Sequence, residues 1–156
     1  MKNLTLRNIA RVCGGIYHGS GDNADTEAVK IITDSRMASP GCVFIPIVGE
    51  RADGHTFIPD VMKKGALGTL SERELPEADF PYVQVESSLQ ALKDIAEFYL
   101  QQVGIPVVGV TGSVGKTSTK EVIAAVLKEK YQVLKTQGNF NNEIGLPLTI
   151  FRITPE

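Results

Sequence analysis

Short apolar runs bounded by turn residues dominate the first part of the chain. Such runs, rich in β-branched residues, predict β-strands at 28–32, 42–45, 67–70 and 82–85. A helix is predicted after Thr5, where apolar residues recur at helical spacing until Gly14 ends the pattern. A second short helix is predicted between Phe57 and Gly65. Strands and short helices therefore alternate up to about residue 85.

The pattern changes at Glu86, where a longer helical period begins. Ser87 or Ser88 is placed to cap this helix, and Gly104 and Pro106 stop it. The apolar run 105–110 then predicts a buried strand, followed by a glycine-rich loop, an amphipathic helix and a strand at 132–135. A strand–loop–helix–strand unit of this kind is typical of the start of a parallel α/β sheet.

These elements predict an α/β protein with two units. Residues 1–85 form a small mixed α/β domain, and 86–156 form the first part of a parallel-sheet domain of the P-loop type. Two strands and two helices cannot cover both faces of a parallel sheet. We therefore expect the second domain to be incomplete and the chain to be the N-terminal part of a longer protein.

Composition excludes several classes of protein. The 156 residues are 42% hydrophobic and 22% charged, which is typical of globular domains. Sixteen basic against eighteen acidic residues give a net charge of −2, which disfavours general binding to nucleic acid or to a membrane surface. No apolar run is long enough to span a bilayer, and no signal peptide is visible. Cys13 and Cys42 do not make a disulfide framework, although one disulfide stays open, so we expect a soluble cytoplasmic protein.

A phosphate-binding loop is the strongest chemical signal in the chain. The stretch TGSVGKTS (111–118) lies between the predicted strand and helix, where glycines let several N–H groups face one anion. Lys116 is suited to neutralise β- and γ-phosphate oxygens, and the Thr117 hydroxyl to bind Mg²⁺. The strict motif GxxxxGK[ST] is not met, because Val110 stands where its first glycine belongs. The alternative is an ordinary glycine-rich turn with a surface lysine.

Several stretches together resemble the Mur ligase family. They are TGSVGKTS, the Asn-rich TQGNFNNEIGLP (136–147), TDSR (33–36), PGCVF (40–44) and GERADGHTF (49–57). The Asn-rich stretch is similar to that of one branch of the family, and the TG[ST]xGKT form also accounts for the failed strict motif. The resemblance covers essentially the whole chain.

This resemblance implies a three-domain enzyme of peptidoglycan precursor synthesis. Its first domain would bind the uridine diphosphate of the substrate, here residues 1–85, and its central domain would bind ATP. The reaction implied is ATP- and Mg²⁺-dependent amide formation between UDP-N-acetylmuramoyl-tripeptide and D-alanyl-D-alanine through an acyl phosphate. A monomer is expected, and the chain by itself is expected to be inactive because the remaining sites would lie beyond residue 156.

The resemblance also assigns roles to residues. Lys116 would be catalytic and Thr117 would bind the metal, within an ATP-binding set of Gly112, Ser113, Val114, Gly115, Lys116, Thr117 and Ser118. The substrate-binding set would be Ser35, Arg36, Asn139, Asn141 and Asn142.

Other assignments rest on the residues alone. Asp34 is interpreted as a turn former and His18 as a surface residue. His55 is expected to pack or bond locally more than to bind a ligand, and both cysteines to be buried small hydrophobes.

Two other functions stay open from the sequence. One is a free-standing nucleotide-sugar-binding module. The other is a different P-loop enzyme, such as a small kinase or GTPase, which would bind nucleotide without affinity for a UDP-sugar and would leave residues 1–85 unexplained.

Overall fold

The computed structural model describes residues 1–50, 52–138, 140 and 142–154. The strands are β1 (Ile16–His18), β2 (Lys30–Ile32), β3 (Cys42–Phe44), β4 (Gly68–Ser71) and β5 (Tyr82–Gln84). The α-helices are α1 (Leu6–Val12), α2 (Ile58–Lys63), α3 (Ser88–Val103), α4 (Lys116–Lys128) and α5 (Gly145–Ile150). Single turns of 3₁₀-helix lie at Gly21–Asn23, Ser35–Met37 and Gly54–Phe57.

One mixed five-stranded sheet, in the order β1-β5-β4-β3-β2, organises the first part of the chain. The strands β2 to β5 run parallel, with Ile31 opposite Val43 in the register. The predicted α/β class is confirmed, as are the four strands predicted before residue 85. The antiparallel edge strand β1 was not predicted. It has only three residues, and its apolar residue Ile16 is exposed, so the sequence shows no alternation of apolar and polar positions there.

Alternate residues of the strands serve two hydrophobic cores. Val43 and its sheet neighbours face α1 and α3, whereas Cys42 and Phe44 face α2. Because side chains alternate across a strand, one three-residue strand contributes to both layers. The two thiols are free, with Cys42 buried and Cys13 only half-buried, so the expectation of burial is confirmed for Cys42 alone.

The helix α3 begins and ends where its capping residues predict. The Ser87 side chain accepts a hydrogen bond of 3.2 Å from the backbone N–H of Gln90, and Gly104 ends the helix in the left-handed region at φ 66°. The apolar face of α3, including Leu92 and Ile95, is buried in the same cluster as the sheet. The division of the chain at residue 85 stays a prediction. Although α3 follows that residue, it packs on the core of the first part of the chain.

The predicted strands at 105–110 and 132–135 are wrong, because both segments have irregular backbone. Val107 and Val108 are 65% and 60% exposed, and only Ala124 of α4 is buried. A buried parallel strand needs neighbouring strands and covered faces, and within the residues that the structure describes neither segment pairs with a strand.

The apolar run near residue 150 forms α5, which packs against α3. The hydroxyl of Tyr99 donates a 2.7 Å hydrogen bond to the carbonyl of Ile153, and the rings of Tyr99 and Phe151 lie 6.3 Å apart. This contact joins the last described segment to the first core. In the part of the chain that is described, no helix has the length and apolar character required to cross a membrane.

Candidate functional site

The phosphate loop leads directly into α4. Gly115 is the N-cap residue at φ 81° and Gly112 has φ 147°, values that favour glycine. No side chain caps the first turn of α4, so its backbone N–H groups point to the open loop. The predicted start of the helix at this loop is confirmed.

Lys116 folds back over the loop. Its ammonium group donates a short hydrogen bond to the carbonyl oxygen of Gly112, and the residue is half-buried. Thr117 and Ser118, in the same first turn, are exposed, as are Ser113 and Val114. The structure thus gathers the predicted ATP-binding residues 112–118 around one open turn, and their contact with ATP stays a prediction.

The Asp34–Arg36 loop follows the carboxyl end of β2. Asp34 caps a 3₁₀ turn by accepting a 2.9 Å hydrogen bond from the Arg36 N–H, which confirms Asp34 as the turn former. Its carboxylate also accepts from Nε and Nη2 of Arg36, at 2.9 and 2.6 Å, and these hydrogen bonds lower the pKa of Asp34 to about 2. The pair fixes one edge of the exposed guanidinium beside Ser35. Binding of substrate by Ser35 and Arg36 stays a prediction.

A cleft of about 590 Å³ opens beside this loop. Its lining comes from three segments and consists of Thr33, Ile47, Gly49, Glu50, Ala52 and Ile144. Thr33 directly follows β2 and Ile47 lies shortly after β3, so the cleft is at the carboxyl ends of parallel strands, where α/β proteins bind ligands. Ile144 belongs to the Asn-rich stretch. The cleft therefore joins Thr33, beside the Asp34–Arg36 loop, to Ile144 of the Asn-rich stretch, but Ser35, Arg36 and Asn142 are not part of its lining.

The predicted asparagines are only partly described. Asn139 and Asn141 lie outside the described residues. Asn142 is exposed, and its Oδ1 accepts a 2.7 Å hydrogen bond from the N–H of Gly145. It borders a groove of about 450 Å³ between α3 and α5 rather than the first cleft.

The loop after β3 carries a network that sequence analysis missed in part. His55 is 8% exposed and is bonded locally, as predicted: its Nδ1 lies 2.6 Å from Oδ1 of Asp53. The guanidinium of Arg73 donates to Oδ2 of Asp53 at 2.6 Å. Hydrogen bonds from the His55 backbone and ring, with that from Arg73, lower the pKa of Asp53 to about 2. The Asp-Gly-His order signals the local bonds, whereas Arg73 gives no signal in the sequence.

His18 departs from its prediction as a surface residue. Its ring stacks on Tyr82 at 4.5 Å between centroids, and the residue is half-buried. The cause is the register of the edge strand, which places His18 directly opposite Tyr82.

Comparison with known proteins gives two matching family models. Residues 28–100 match the model described as Mur ligase family, catalytic domain, and residues 110–156 match the Mur ligase middle domain. Together they take in the cleft, the Asp53 loop and the phosphate loop.

Curated relatives match along nearly the whole chain. A UDP-N-acetylmuramoyl-tripeptide–D-alanyl-D-alanine ligase of Bacillus subtilis is 42% identical over 94% of this chain and 32% of its own length. The ligase of the same name from Escherichia coli is 39% identical over 100% of this chain and 33% of its own. The chain thus spans about a third of the length of these relatives.

Solved structures give the same assignment. A crystal structure of MurF from Acinetobacter baumannii superposes with a TM-score of 0.87 at 31% identity, covering 97% of this chain and 33% of that one. MurF ligase from Thermotoga maritima, in complex with ADP, gives a TM-score of 0.72 at 42% identity, covering 78% of this chain and 28% of that one. With both family models and these relatives in agreement along its length, the chain belongs to the Mur ligase family.

Proposed function

We propose that the protein to which this chain belongs joins D-alanyl-D-alanine to UDP-N-acetylmuramoyl-tripeptide in peptidoglycan precursor synthesis. The main support is that ligases of this name match 94% and 100% of the chain at 42% and 39% identity. Residues 1–85 would hold the UDP portion of the substrate, and 86–156 would begin the ATP-binding domain. We propose a monomer in the cytoplasm that neither inserts into a membrane nor binds nucleic acid.

The phosphate loop suits the first half of this reaction. The uncapped N–H groups of α4 and the ammonium group of Lys116 would bind the terminal phosphates of ATP, with Lys116 exchanging the Gly112 carbonyl for a phosphate oxygen. Charge that develops on the γ-phosphoryl group during its transfer to the tripeptide carboxylate would be stabilised by this lysine.

A magnesium ion fits the same turn. Thr117 exposes its hydroxyl next to Lys116, and a hydroxyl beside phosphate oxygens is a suitable donor for this hard cation. When bound, Mg²⁺ supplies further neutralisation of phosphate charge. Attack by the amine of D-alanyl-D-alanine on the resulting acyl phosphate forms the amide and releases inorganic phosphate.

The cleft at the carboxyl ends of β2 and β3 suits the other substrate. Ser35 and Arg36 stand in the loop after Thr33, and the edge of the Arg36 guanidinium that Asp34 does not hold would bind a phosphate or uracil oxygen. Ile144, which belongs to the Asn-rich stretch, lines the same cleft. The resemblance of this stretch supports a role for Asn139, Asn141 and Asn142 in binding the peptide-bearing part of the substrate, because side-chain amides both donate and accept hydrogen bonds.

Thermal-shift titration of the 156-residue chain tests the binding of the UDP-linked substrate and the binding of ATP separately. A ligand at about 100 times its dissociation constant adds roughly 2.7 kcal/mol. At about 2–4 °C per kcal/mol for this size, the melting temperature should rise by roughly 5–10 °C. We expect one shift with UDP-N-acetylmuramoyl-tripeptide and another with Mg-ATP.

Two variants and one control assign these shifts. Lys116→Met should remove the Mg-ATP shift alone, and Arg36→Ala should reduce the UDP-ligand shift alone. Asp25→Asn, which alters a surface pair with Arg7, should change neither. A shift with Mg-ATP and none with the UDP ligand would favour a different P-loop enzyme.

Because the chain spans about a third of the length of its relatives, we expect it to show no turnover by itself, and turnover of both substrates would refute that expectation.

A further inference from the structure

Residues 47–50 and 52–54, called the hairpin below, form one wall of the cleft. Their backbone folds into a narrow hairpin, in which the N–H of Gly49 donates to Ala52 at 2.9 Å and the N–H of Gly54 donates to Ile47 at 3.1 Å. Gly49, Glu50 and Ala52 line the cleft, whereas Asp53 and His55 do not. The position of this hairpin therefore sets the width of the cleft.

Side-chain hydrogen bonds tie the base of this hairpin to a distant segment. Oδ1 of Asp53 accepts from the backbone N–H and from Nδ1 of His55, at 2.9 and 2.6 Å. Nε2 of His55 accepts from the backbone N–H of Glu72 at 3.0 Å, and Arg73 donates to Oδ2 of Asp53 at 2.6 Å. The Glu72 carboxylate in turn accepts from the N–H of Ser88, at the start of α3, at 2.7 Å.

The hydrogen-bond partners of the His55 ring match one of its two tautomers. Because Nε2 accepts from Glu72, it carries no proton, and the proton of the neutral imidazole lies on Nδ1, facing the Asp53 carboxylate. A second proton on Nε2 would oppose the N–H of Glu72. The Asp53 carboxylate and the buried His55 ring thus satisfy each other and a backbone donor.

We propose that Asp53 and His55 are positioning residues that clamp this hairpin to residues 72–73 and thereby set the affinity of the cleft for its ligand. The clamp acts through the backbone of the hairpin. The choice of UDP-N-acetylmuramoyl-tripeptide as the ligand rests on the proposed function. The ordering of the hairpin by Asp53 and His55 does not depend on the proposed function.

Amide hydrogen exchange followed by NMR tests the clamp without a ligand. In His55→Ala and Asp53→Asn, we expect the amides of Gly49, Gly54 and Glu72 to exchange about ten-fold faster or more, since fixed hydrogen bonds are lost. Amides within α3 should keep their rates. In the unaltered chain, the ring nitrogen shifts of His55 should show the Nδ1–H tautomer.

Two control variants match the changes in chemistry. His18→Gln removes the other histidine, and Asp25→Asn alters another carboxylate paired with an arginine, both away from the hairpin. Both should leave the hairpin amides unchanged. If His55→Ala does not fold, Asp53→Asn and His55→Gln carry the comparison, because Gln keeps a side-chain acceptor for the Glu72 N–H.

Calorimetric titration with UDP-N-acetylmuramoyl-tripeptide tests the effect on the cleft. We expect the dissociation constant to rise about ten-fold in Asp53→Asn and His55→Ala, with part of the affinity restored in His55→Gln. Unchanged hairpin exchange in a folded variant would overturn the clamp. Faster exchange with unchanged affinity would overturn its positioning role. If the unaltered chain does not bind this ligand, the proposed function fails, and the exchange rates still judge the clamp.

Discussion

Tyr99 links the first core to the segment after α5, and its hydroxyl can be removed without disturbing its ring. The side chain is 1% exposed, and the hydroxyl donates to the Ile153 carbonyl at 2.7 Å. Burial raises the pKa of Tyr99, so the group stays a neutral donor at ordinary pH. Tyr99→Phe therefore deletes one neutral hydrogen bond and little else.

The cost follows from the environment of that bond. A neutral intramolecular hydrogen bond contributes about 0.5–1.5 kcal/mol, and this one joins a buried side chain to the half-buried residue Ile153. We expect Tyr99→Phe to lower the free energy of unfolding by about 1 kcal/mol, or about 2–4 °C in melting temperature. Tyr99→Ala also removes the ring from the core and should cost roughly 3–5 kcal/mol.

Urea unfolding followed by circular dichroism, with Tyr131→Phe as the control, separates these terms. Tyr131 is exposed, so its variant should stay within about 0.5 kcal/mol of the unaltered chain. A Tyr99→Phe variant as stable as the unaltered chain would show that the hydroxyl contributes nothing. A Phe variant as unstable as the Ala variant would show that the ring contributes nothing.

Three further changes have defined outcomes. Ser87→Ala removes the N-cap of α3 and should lower the free energy of unfolding by about 1 kcal/mol in the same urea assay, whereas Ser87→Asp should restore most of it. Burial raises the pKa of the Cys13 thiol to about 12, so at pH 8 this thiol should react with a chromogenic disulfide far more slowly than free cysteine; equal rates before and after unfolding would contradict this. Asp34 has its pKa lowered to about 2 by Arg36, so its ionised form stabilises the fold above about pH 4, and that contribution is lost as the pH falls towards 2. The difference in melting temperature between Asp34→Asn and the unaltered chain should therefore shrink from pH 5 to pH 2, and a constant difference would argue against the ion pair.

The sequence was sufficient to predict those features of the structure that depend on a residue and its near neighbours. The cap of α3, its end at Gly104 and the turn made by Asp34 each depend on atoms within a few residues. The end at Gly104 and the turn are as predicted, and Ser87 is the cap of the two serines that the sequence offered. The helix after the phosphate loop is of the same kind, because Gly115 and the amphipathic run behind it specify where it begins.

Features that depend on residues far apart in the chain could not be predicted from the sequence in this way. The run 105–110 has the composition of a buried strand, but composition does not supply the neighbour with which a strand must pair. The cleft likewise joins Thr33 to Ile144, which are far apart in the chain, and no local pattern reports that proximity. At His55, the bond to Asp53 was within reach of the sequence and the bond from Glu72 was not.

The irregular segment 105–110 has a consequence for the colloidal behaviour of the chain. Val107 and Val108 are largely exposed beside unpaired backbone, and short β-branched stretches of low charge are those on which chains stack into cross-β assemblies. Pro106 interrupts that stacking at one position, because it has no N–H to donate. This stretch is therefore expected to promote self-association of the chain in concentrated solution, together with the other exposed apolar side chains such as Val114 and Val122.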